Sequence, residues 1–372
     1  MRIAVVNATG GGLSGGYFKY LRSLIPRLAR HPEVEQVDVF APETARERFR
    51  AEPWPIHTWA AHDVRAGFRG LRERVRDRRP DVVFVPTAKW LDFGDTPVVV
   101  MVRNMEPLEL PFGGNPVAEG IRNLARRTMA RRACRRASRV IAVSNHVRDY
   151  LTDRWRIESG RIAVIYHGVD PPDLGPPPHP PPVLQDKVDR AFVFAAGSIR
   201  PSRGLGDLVE ALPYLGIAGQ PVLAVVAGQV DSTMVGHGRW LIRRSGELGV
   251  ADRITWAGAL SEAEMRWCYE RSAAFVMTSR TEACPNIALE AMSYGCACVS
   301  VDRPPMPEFF GSAAVYYPAG DAKGLSQAFM SLVSGPLKQG ELKAAASEHS
   351  RLFDWRITVD RTIDELRTAI DS

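Results

Sequence analysis

The stretch AFVMTSRTEACPNIALEAMSYGCACVSV, residues 274–301, is predicted to form a strand, a helix and a second strand. Ala274–Thr278 and Ala297–Val301 are short apolar runs, typical of strands that are buried on both faces of a parallel sheet. Between them, Pro285 suits the first turn of a helix and Asn286 suits a helix cap. The stretch therefore predicts an α/β fold.

The same alternation of apolar strands and helix-length segments extends over the whole chain. Further strand candidates are Ile3–Asn7, Val37–Ala41, Asp81–Pro86, Val98–Arg103, Val140–Ser144, Ile162–Tyr166, Phe192–Ala196, Val222–Ala227, Ile254–Ala257 and Ala314–Tyr317. Helix candidates between them include Phe18–Leu28, Val117–Arg136, Gly206–Tyr214 and Glu262–Arg271. Two such halves predict two doubly wound, Rossmann-like domains, with ligands bound at the carboxyl ends of the strands in the cleft between the halves.

A proline-rich segment separates the two halves. Residues 171–184 contain eight prolines in fourteen positions, which excludes a helix or a central strand. We therefore predict an N-terminal domain over residues 1–170, a linker over residues 171–190 and a C-terminal domain over residues 191–354.

The composition excludes several classes of protein. With 45% apolar and 24% charged residues the chain is globular, and no apolar run reaches the roughly 18 residues of a membrane span. Met1 leads directly into the strand-like Ile3–Val6, so we expect no signal peptide and a cytoplasmic protein. The five cysteines are scattered, which predicts neither a zinc site nor a disulfide framework and fits a reducing compartment.

The positive charge is concentrated in the first half. Residues 1–180 hold 29 Lys and Arg against 20 Asp and Glu, and the net charge is +6. Two arginine-rich stretches, Arg65–Arg79 and Arg122–Arg139, either are solvated helix surface or attract anions such as lipid headgroups. No nucleic-acid motif accompanies them, so we expect no nucleic-acid partner.

The 122–139 helix predicts a peripheral contact with an anionic membrane if the acceptor is lipid-linked. We attribute its apolar positions (Ile121, Leu124, Ala125, Met129 and Ala133) to core packing.

A glycine-rich loop follows the first strand. Residues 10–16 read GGGLSGG and match the dinucleotide pattern G-x-G-x-x-G from Gly10 to Gly15. This pattern keeps an NAD-dependent oxidoreductase open as an alternative. More generally, the glycines allow backbone N–H groups to approach an anion.

Two glutamates in the opening stretch suit sugar recognition. Glu282 precedes the predicted helix and Glu290 lies inside it, with the helix N-terminus between them. Carboxylates accept hydrogen bonds from sugar hydroxyls, and free N–H groups at a helix start favour phosphate. The pattern therefore predicts a site for a nucleotide sugar.

The motif S-x-T-E-x-x-P-x-x-x-x-E-A-M-x-x-G over residues 279–295 resembles the retaining GT4 glycosyltransferases of GT-B fold. The resemblance runs nearly end to end and includes Val140–Ser144, Tyr166–Asp170 and Gly197–Gly204. The segment around Trp355 resembles the family's closing helix, so the resemblance adds residues 355–372 to the N-terminal domain.

The resemblance implies roles for single residues. Glu290 binds the donor ribose, Glu282 and the neighbouring backbone hold the sugar, and Arg203 neutralises the diphosphate. The implied donor site contains Gly15, Gly16, Ser198, Arg200, Arg203, Leu260, Glu282, Ala283, Cys284, Pro285, Asn286, Ile287 and Glu290.

Two departures from the family pattern bear on these roles. Ser198 stands where the family has a basic residue, and Arg200 can supply the missing charge. Arg103-Asn104 replaces the usual His-Asp pair after a strand, and we group both with Glu282 and Arg203 as catalytic candidates. His146 and His167 are either acceptor-side candidates or structural histidines.

The sequence contains no D-x-D motif, so we expect no metal and no cofactor. The resemblance implies metal-independent, retaining transfer of a hexose from a UDP- or GDP-linked donor to a hydroxyl acceptor, in cell-surface glycan or natural-product synthesis. A sugar-nucleotide 2-epimerase of the same fold, the oxidoreductase and a non-catalytic sugar-nucleotide sensor remain alternatives.

Overall fold

The computed structural model describes residues 1–9, 15–46, 49, 54, 56–59, 69–172 and 177–372. The protein is divided into two compact units. Unit 1 comprises Met1–Met105, Ala125–Gly168 and Asp354–Ser372, and unit 2 comprises Glu106–Leu124 and Val169–Phe353.

Strands in the described residues run in chain order as β1 (Arg2–Val6), β2 (Gln36–Pro42), β3 (Ile56–Trp59), β4 (Val82–Val85), β5 (Val98–Val102), β6 (Arg139–Ala142), β7 (Ile162–Val164), β8 (Phe192–Ala196), β9 (Gly216–Ile217), β10 (Gln220–Pro221), β11 (Leu223–Ala227), β12 (Ile254–Gly258), β13 (Ala274–Met277), β14 (Cys298–Val301) and β15 (Ala314–Tyr317). Unit 1 holds a seven-stranded parallel sheet of order β3-β2-β1-β4-β5-β6-β7. Unit 2 holds a six-stranded parallel sheet of order β12-β11-β8-β13-β14-β15 and the small antiparallel pair β9 and β10.

Helices in the described residues are α1 (Gly15–Ala29), α2 (Arg69–Asp77), α3 (Glu106–Glu109), α4 (Val117–Arg136), α5 (Asn145–Trp155), α6 (Gly206–Ala211), α7 (Val235–Glu247), α8 (Glu262–Arg271), α9 (Asn286–Ser293), α10 (Met306–Phe310), α11 (Ala322–Val333), α12 (Pro336–Ser350) and α13 (Trp355–Ile370). The predicted linker contains a six-residue 3-10 helix, Pro182–Lys187.

The prediction of two parallel α/β halves is confirmed. Every strand predicted from an apolar run is present, with ends that differ by at most two residues. All residues of β4 and β5 are buried. Both faces of a parallel sheet are covered, so the side chains of these strands do not alternate between the core and solvent. Strand β3 and the β9–β10 pair were not predicted, since β3 is a short edge strand that contains His57 and Thr58.

The compact units differ from the predicted domain limits mainly in one segment, while unit 2 also includes residues 169–190 and unit 1 also includes Asp354. Glu106–Leu124 belongs to unit 2, although the predicted N-terminal domain includes it. Side chains of α3 explain this assignment, since Glu106 and Glu109 bond to Arg200 and Thr281 of unit 2. The boundaries of independently folding domains stay a prediction.

Helix α4 exposes most of the apolar positions that we attributed to core packing. Ile121 is 59%, Leu124 40% and Met129 48% exposed, and Ala125 is exposed as well, whereas Ala133 is buried. The core interpretation is therefore wrong for these four residues, because the buried face of α4 is lined instead by residues such as Asn123. No helix in the described part of the chain is long and apolar enough to cross a membrane.

Helix α13 closes the core of unit 1. It packs against α1 and against the central strands β4, β5 and β6. Its buried residues Val359, Ile363 and Leu366 recur every three or four positions, as on one face of a helix. The Glu365 carboxylate also accepts two hydrogen bonds from Arg139 of β6, at 2.8 and 3.0 Å. Unit 1 therefore depends on a segment that is remote in sequence.

Replacing Leu366 by alanine tests this dependence. Leu366 is fully buried, so we expect Leu366→Ala to lower the free energy of unfolding by about 2–5 kcal/mol in urea denaturation. Ile357→Ala on the same helix is the control, because Ile357 is 49% exposed and its loss costs much less. Equal destabilisation by both variants would contradict the packing of α13.

Candidate functional site

A tight 3-10 turn, residues 201–203, lies at the carboxyl edge of the unit 2 sheet. The Thr278 hydroxyl, at the end of β13, donates to the Arg203 carbonyl at 2.6 Å. Gly204 follows the turn with φ at +62°, and a Cβ at this position would collide with the Thr278 carbonyl oxygen. The close approach fixes Arg203 beside the loop that leaves β13.

Arg203 forms an ion pair with Glu282, which lies in that loop. The two side chains are 26% and 11% exposed, so the pair is largely shielded from water. Burial lowers the pKa of the Arg203 guanidinium to about 10, and the nearby Glu106 carboxylate partly offsets this effect. Arg203 is therefore cationic at neutral pH.

Arg200 has its own carboxylate partner. Its guanidinium lies 2.9 Å from the Glu106 carboxylate on α3, and the Asn115 amide donates to the same carboxylate at 3.0 Å. Glu106 is buried, although no pattern in the sequence singles it out. In unit 2, both arginines predicted to face the donor diphosphate are thus held by carboxylates.

Glu290 lies on α9 and is half-buried. The Tyr269 hydroxyl of α8 donates to its carboxylate at 3.2 Å. Tyr269 is buried, and burial raises the pKa of its phenol well above the usual value, with Glu290 adding to the shift. The phenol therefore stays protonated and orients the carboxylate, a contact that sequence analysis missed.

The start of α9 differs from the prediction. The helix begins at Asn286, and Pro285 occupies the N-cap position without a capping side chain. The prediction that Asn286 is the cap is wrong, because the chain reaches helical geometry directly after Pro285. The first N–H groups of α9 lack a side-chain cap.

The other predicted donor residues lie around this loop or at neighbouring strand ends of unit 2. The Thr281 hydroxyl donates to the Glu109 carboxylate at 2.6 Å and so ties the loop to α3. Ala283 and Pro285 are buried, Cys284, Ile287 and Leu260 are half-buried, and Ser198 is exposed.

Asp207 anchors the base of the loop, and sequence analysis missed it. Its buried carboxylate accepts from Arg280 at 2.6 Å, from the Tyr317 hydroxyl at 3.1 Å and from the Gly320 backbone at 3.1 Å. The Arg280 backbone N–H in turn donates to the Ser202 carbonyl at 2.7 Å. These bonds join the loop to the 3-10 turn.

Unit 1 holds the remaining predicted residues. Gly15 and Gly16 open α1 and are exposed, whereas residues 10–14 of the glycine loop lie outside the described residues, as do residues 65–68 of the first arginine-rich stretch. Asn104 is exposed and His146 is half-buried at the start of α5.

His167 is buried, and its ring lies 4.5 Å from that of Tyr20. The Tyr20 ring lies 5.9 Å from that of Trp355. This aromatic surrounding favours the structural interpretation of His167. Its acceptor-side role stays a prediction.

No group of three or more His, Cys, Asp or Glu side chains suited to a metal occurs among the described residues. None of the five cysteines, all of which lie in the described part of the chain, forms a disulfide, and four of them are buried.

Two family descriptions match this chain in sequence. "Glycosyltransferase Family 4" matches residues 14–172, and "Glycosyl transferases group 1" matches residues 181–351. The chain belongs to the GT4-type glycosyltransferases. The predicted resemblance is therefore confirmed.

Curated relatives of this glycosyltransferase are distant. The O-antigen chain mannosyltransferase RfbU of Salmonella typhimurium is 22% identical over 210 residues, which cover 56% of this chain and 55% of that protein. The D-inositol 3-phosphate glycosyltransferase of Stackebrandtia nassauensis is 26% identical over 239 residues, which cover 60% and 52%. The chain spans about half the length of these relatives.

Solved structures resemble the glycosyltransferase over its full length. The crystal structure of Anabaena HepE in complex with UDP-glucose has a TM-score of 0.79 at 18% identity, covering 99% of this chain and 100% of that chain. The predicted GT-B fold is confirmed by this likeness together with the two parallel sheets.

Gly204→Ala tests the close approach at the 3-10 turn. The methyl group meets the Thr278 carbonyl in a strained backbone conformation, so we expect unfolding free energy to fall by more than about 2 kcal/mol. Gly249→Ala is the control, because Gly249 has φ at +67° but open space around it, which leaves only a backbone penalty of about 1 kcal/mol. Equal losses in urea denaturation would show that the contact has no effect.

Proposed function

We propose that the protein transfers a hexose from a UDP- or GDP-linked sugar to a hydroxyl acceptor, in the synthesis of a cell-surface glycan or a natural product. The observation that supports this most directly is the shielded Arg203–Glu282 pair, in a loop whose following helix carries Glu290. HepE, which shares the fold, has been solved with UDP-glucose, and RfbU is a mannosyltransferase.

The proposed donor site works by exchange of anions. Arg203 and Arg200 are held by Glu282 and Glu106, so the donor diphosphate replaces carboxylate oxygens at guanidinium groups that are already in place. An arginine fork binds phosphate oxygens in two parallel bonds. The exchange also frees Glu282, which then accepts hydrogen bonds from the sugar hydroxyls.

The proposed transfer step relies on electrostatic stabilisation. Arg203 and the uncapped start of α9 stabilise the charge that develops on the leaving diphosphate, and the glycosidic bond breaks through an oxocarbenium-like state. The acceptor hydroxyl attacks from the face that the diphosphate leaves and passes its proton to an oxygen of the departing diphosphate, so the new glycosidic bond keeps the configuration of the old one. Glu290, oriented by Tyr269, binds the ribose hydroxyls. In this proposal no metal takes part.

Two variants separate the proposed roles. We expect Arg203→Met to lower affinity for UDP or GDP by tenfold or more, since a charge-assisted hydrogen bond contributes about 1.5–3 kcal/mol, without affecting uridine or guanosine. We expect Glu290→Gln to lower the affinity for the nucleoside and for the nucleotide by the same factor, because Glu290 is proposed to bind the ribose, which both molecules contain. Isothermal titration calorimetry measures these affinities for both variants. The rate of slow donor hydrolysis in the absence of an acceptor reports separately on the transfer chemistry.

The matched controls are Arg243→Met and Glu247→Gln on α7, whose side chains are 69% and 49% exposed and lie outside the proposed site. Both controls are expected to bind as the wild type does. If NAD alone binds, and binds equally to all variants, the glycosyl-transfer proposal fails and the oxidoreductase alternative gains support. Conversion of a UDP-sugar to its 2-epimer without acceptor would support the epimerase.

We also propose that α4 contacts an anionic membrane surface. Val117, Ile121 and Leu124 are exposed on one side of its first turns, at 70%, 59% and 40%. Phe112 is 46% exposed and lies against the helix at Gly120. The arginines at positions 122, 126, 131, 132, 135 and 136 are exposed along the same helix. An apolar patch beside basic side chains complements anionic headgroups above acyl chains.

Vesicle sedimentation tests the membrane proposal. We expect binding to phosphatidylcholine vesicles with about 30% phosphatidylglycerol, weakening as salt rises because exposed charges are screened. The double variant Ile121→Ser and Leu124→Ser should bind about tenfold more weakly, because two apolar side chains no longer insert. The control is Ile242→Ser on α7, where Ile242 is 58% exposed and the neighbouring Arg243 and Arg244 are both paired with Glu247. Equal binding by all three proteins would contradict the proposal.

A further inference from the structure

A cavity of about 510 Å³ lies in unit 1, at the sheet edge where the strands begin. Its lining includes Arg2 at the start of β1, residues 79–80 ahead of β4 and residues 93–96 ahead of β5. These three strands are neighbours in the sheet, so their starts meet at one edge. Ligands of open α/β sheets bind at the opposite, carboxyl edge, where Asn104 follows β5. The cavity therefore lies apart from the unit 1 residues that we predict to bind donor or acceptor.

The lining of this cavity is cationic. Among its described residues, three arginines stand against one acidic side chain, that of Asp95. Arg76 and Arg79 are exposed, and neither has a carboxylate partner in the described part of the chain. The Arg2 side chain bonds to the Asp81 carboxylate at 2.9 Å through one of its three nitrogens, so most of its N–H groups stay available. The cavity therefore attracts anions.

The Arg76 guanidinium forms part of the cavity wall. Arg76 lies in the last turn of α2, and a Cβ added at Gly94 would lie 3.5 Å from its Nη2 atom. Gly94 has φ at +73°, and its N–H donates to the Asp92 carboxylate at 3.0 Å. This turn brings the backbone ahead of β5 close to the guanidinium, which holds the cation at the cavity.

Arg79 adds a cation where the backbone disfavours a side chain. Its φ is +47°, and its N–H donates to the Arg76 carbonyl at 2.8 Å, just beyond the end of α2. Glycine occupies such a position without a steric penalty, and the following proline restricts Arg79 further. A cation also favours a helix end, but Arg74 and Arg76 in the last turn already supply that charge. A ligand better explains why a further arginine stands at a strained position.

We propose that this cavity binds a phosphate monoester at the amino edge of the unit 1 sheet. Arg76 and Arg79 donate to its oxygens as guanidinium forks do, and Arg2 and the Thr96 hydroxyl supply further donors. A phosphate monoester carries nearly two negative charges at neutral pH and so matches several cations.

The group that carries the phosphate has two sources, a phospholipid headgroup and a free phosphorylated small molecule. The cavity is within the size range of small-molecule sites, and Phe93 and Pro80 give it an apolar wall. The inference is independent of the proposed glycosyl transfer, because the cavity uses none of the residues assigned to donor, acceptor or catalysis.

Thermal unfolding with glycerol 3-phosphate tests the site, at saturating UDP so that the proposed donor site is filled. We expect the probe at about ten times its dissociation constant to raise the melting temperature of the wild type by about 2–3 °C. Arg76→Met and Arg79→Met should each bind about tenfold more weakly and show about a third of the shift at the same concentration. Asp95→Asn should show a larger shift, because it removes a like charge from the cavity.

Arg78→Met is the matched control. Arg78 is exposed and adjoins Arg79 but does not line the cavity, so this variant should keep the full shift. Equal shifts in Arg76→Met, Arg79→Met and Arg78→Met would mean that the probe responds only to net charge, which overturns the proposal. The absence of any shift in the wild type would overturn it as well.

Arg79→Gly separates binding from a structural role. It removes the side chain and relieves the left-handed strain, so without the probe it should melt no lower than the wild type, and the probe should shift it as little as Arg79→Met. If Arg79→Gly melts well below the wild type, Arg79 serves the end of α2 and the proposal fails.

Vesicle sedimentation distinguishes the two sources. Suppose that the wild type binds phosphatidylcholine vesicles with about 30% phosphatidic acid, and that Arg76→Met binds them about tenfold more weakly than Arg78→Met does; the site then takes a lipid headgroup. If both variants bind the vesicles equally while glycerol 3-phosphate still shifts only Arg78→Met fully, the site takes a free phosphate ester. Failure of UDP to bind the wild type would defeat the proposed function and leave the comparison of these arginine variants intact.

Discussion

The carboxyl edge of the unit 2 sheet depends on how closely the backbone at Gly204 approaches the Thr278 carbonyl. Only a hydrogen atom fits between them, which brings the 3-10 turn directly against the end of β13. Restricting a side chain to one conformation costs free energy. Because the turn already places Arg203 beside the loop that carries Glu282, little of this cost is paid when the two side chains pair. Asp207 holds the other side of the loop through Arg280. The backbone contact between Gly204 and Thr278 thus positions the charged side chains of Arg203 and Glu282.

The two units treat their buried cations in opposite ways. In unit 2, Arg200 and Arg203 each pair with a carboxylate, Glu106 and Glu282 respectively, so the charges of the two arginines are balanced within the protein. In unit 1, Arg103 lies over the ring of Tyr17, and no carboxylate among the described residues pairs with it.

Sequence analysis predicted the sheets well because buried parallel strands are continuous apolar runs, as in β4 and β5. It also singled out Glu282 and Glu290 from their spacing along the chain, and the roles of both glutamates stay predictions. It missed Glu106 and Tyr269, because a partner from another element leaves no local pattern. Periodicity showed which residues share a side of α4 but not which side is covered, so the exposure of Ile121 was misjudged.

The position of α13 in the sequence affects how the chain folds during synthesis. Strands β4, β5 and β6 leave the ribosome early, but the helix that covers them follows Phe353, after the whole Val169–Phe353 segment of unit 2. Unit 2 can therefore complete its core first, which reverses the usual order in which the N-terminal part folds before the rest. Until then the nascent unit 1 sheet displays apolar surface, the feature that chaperones bind.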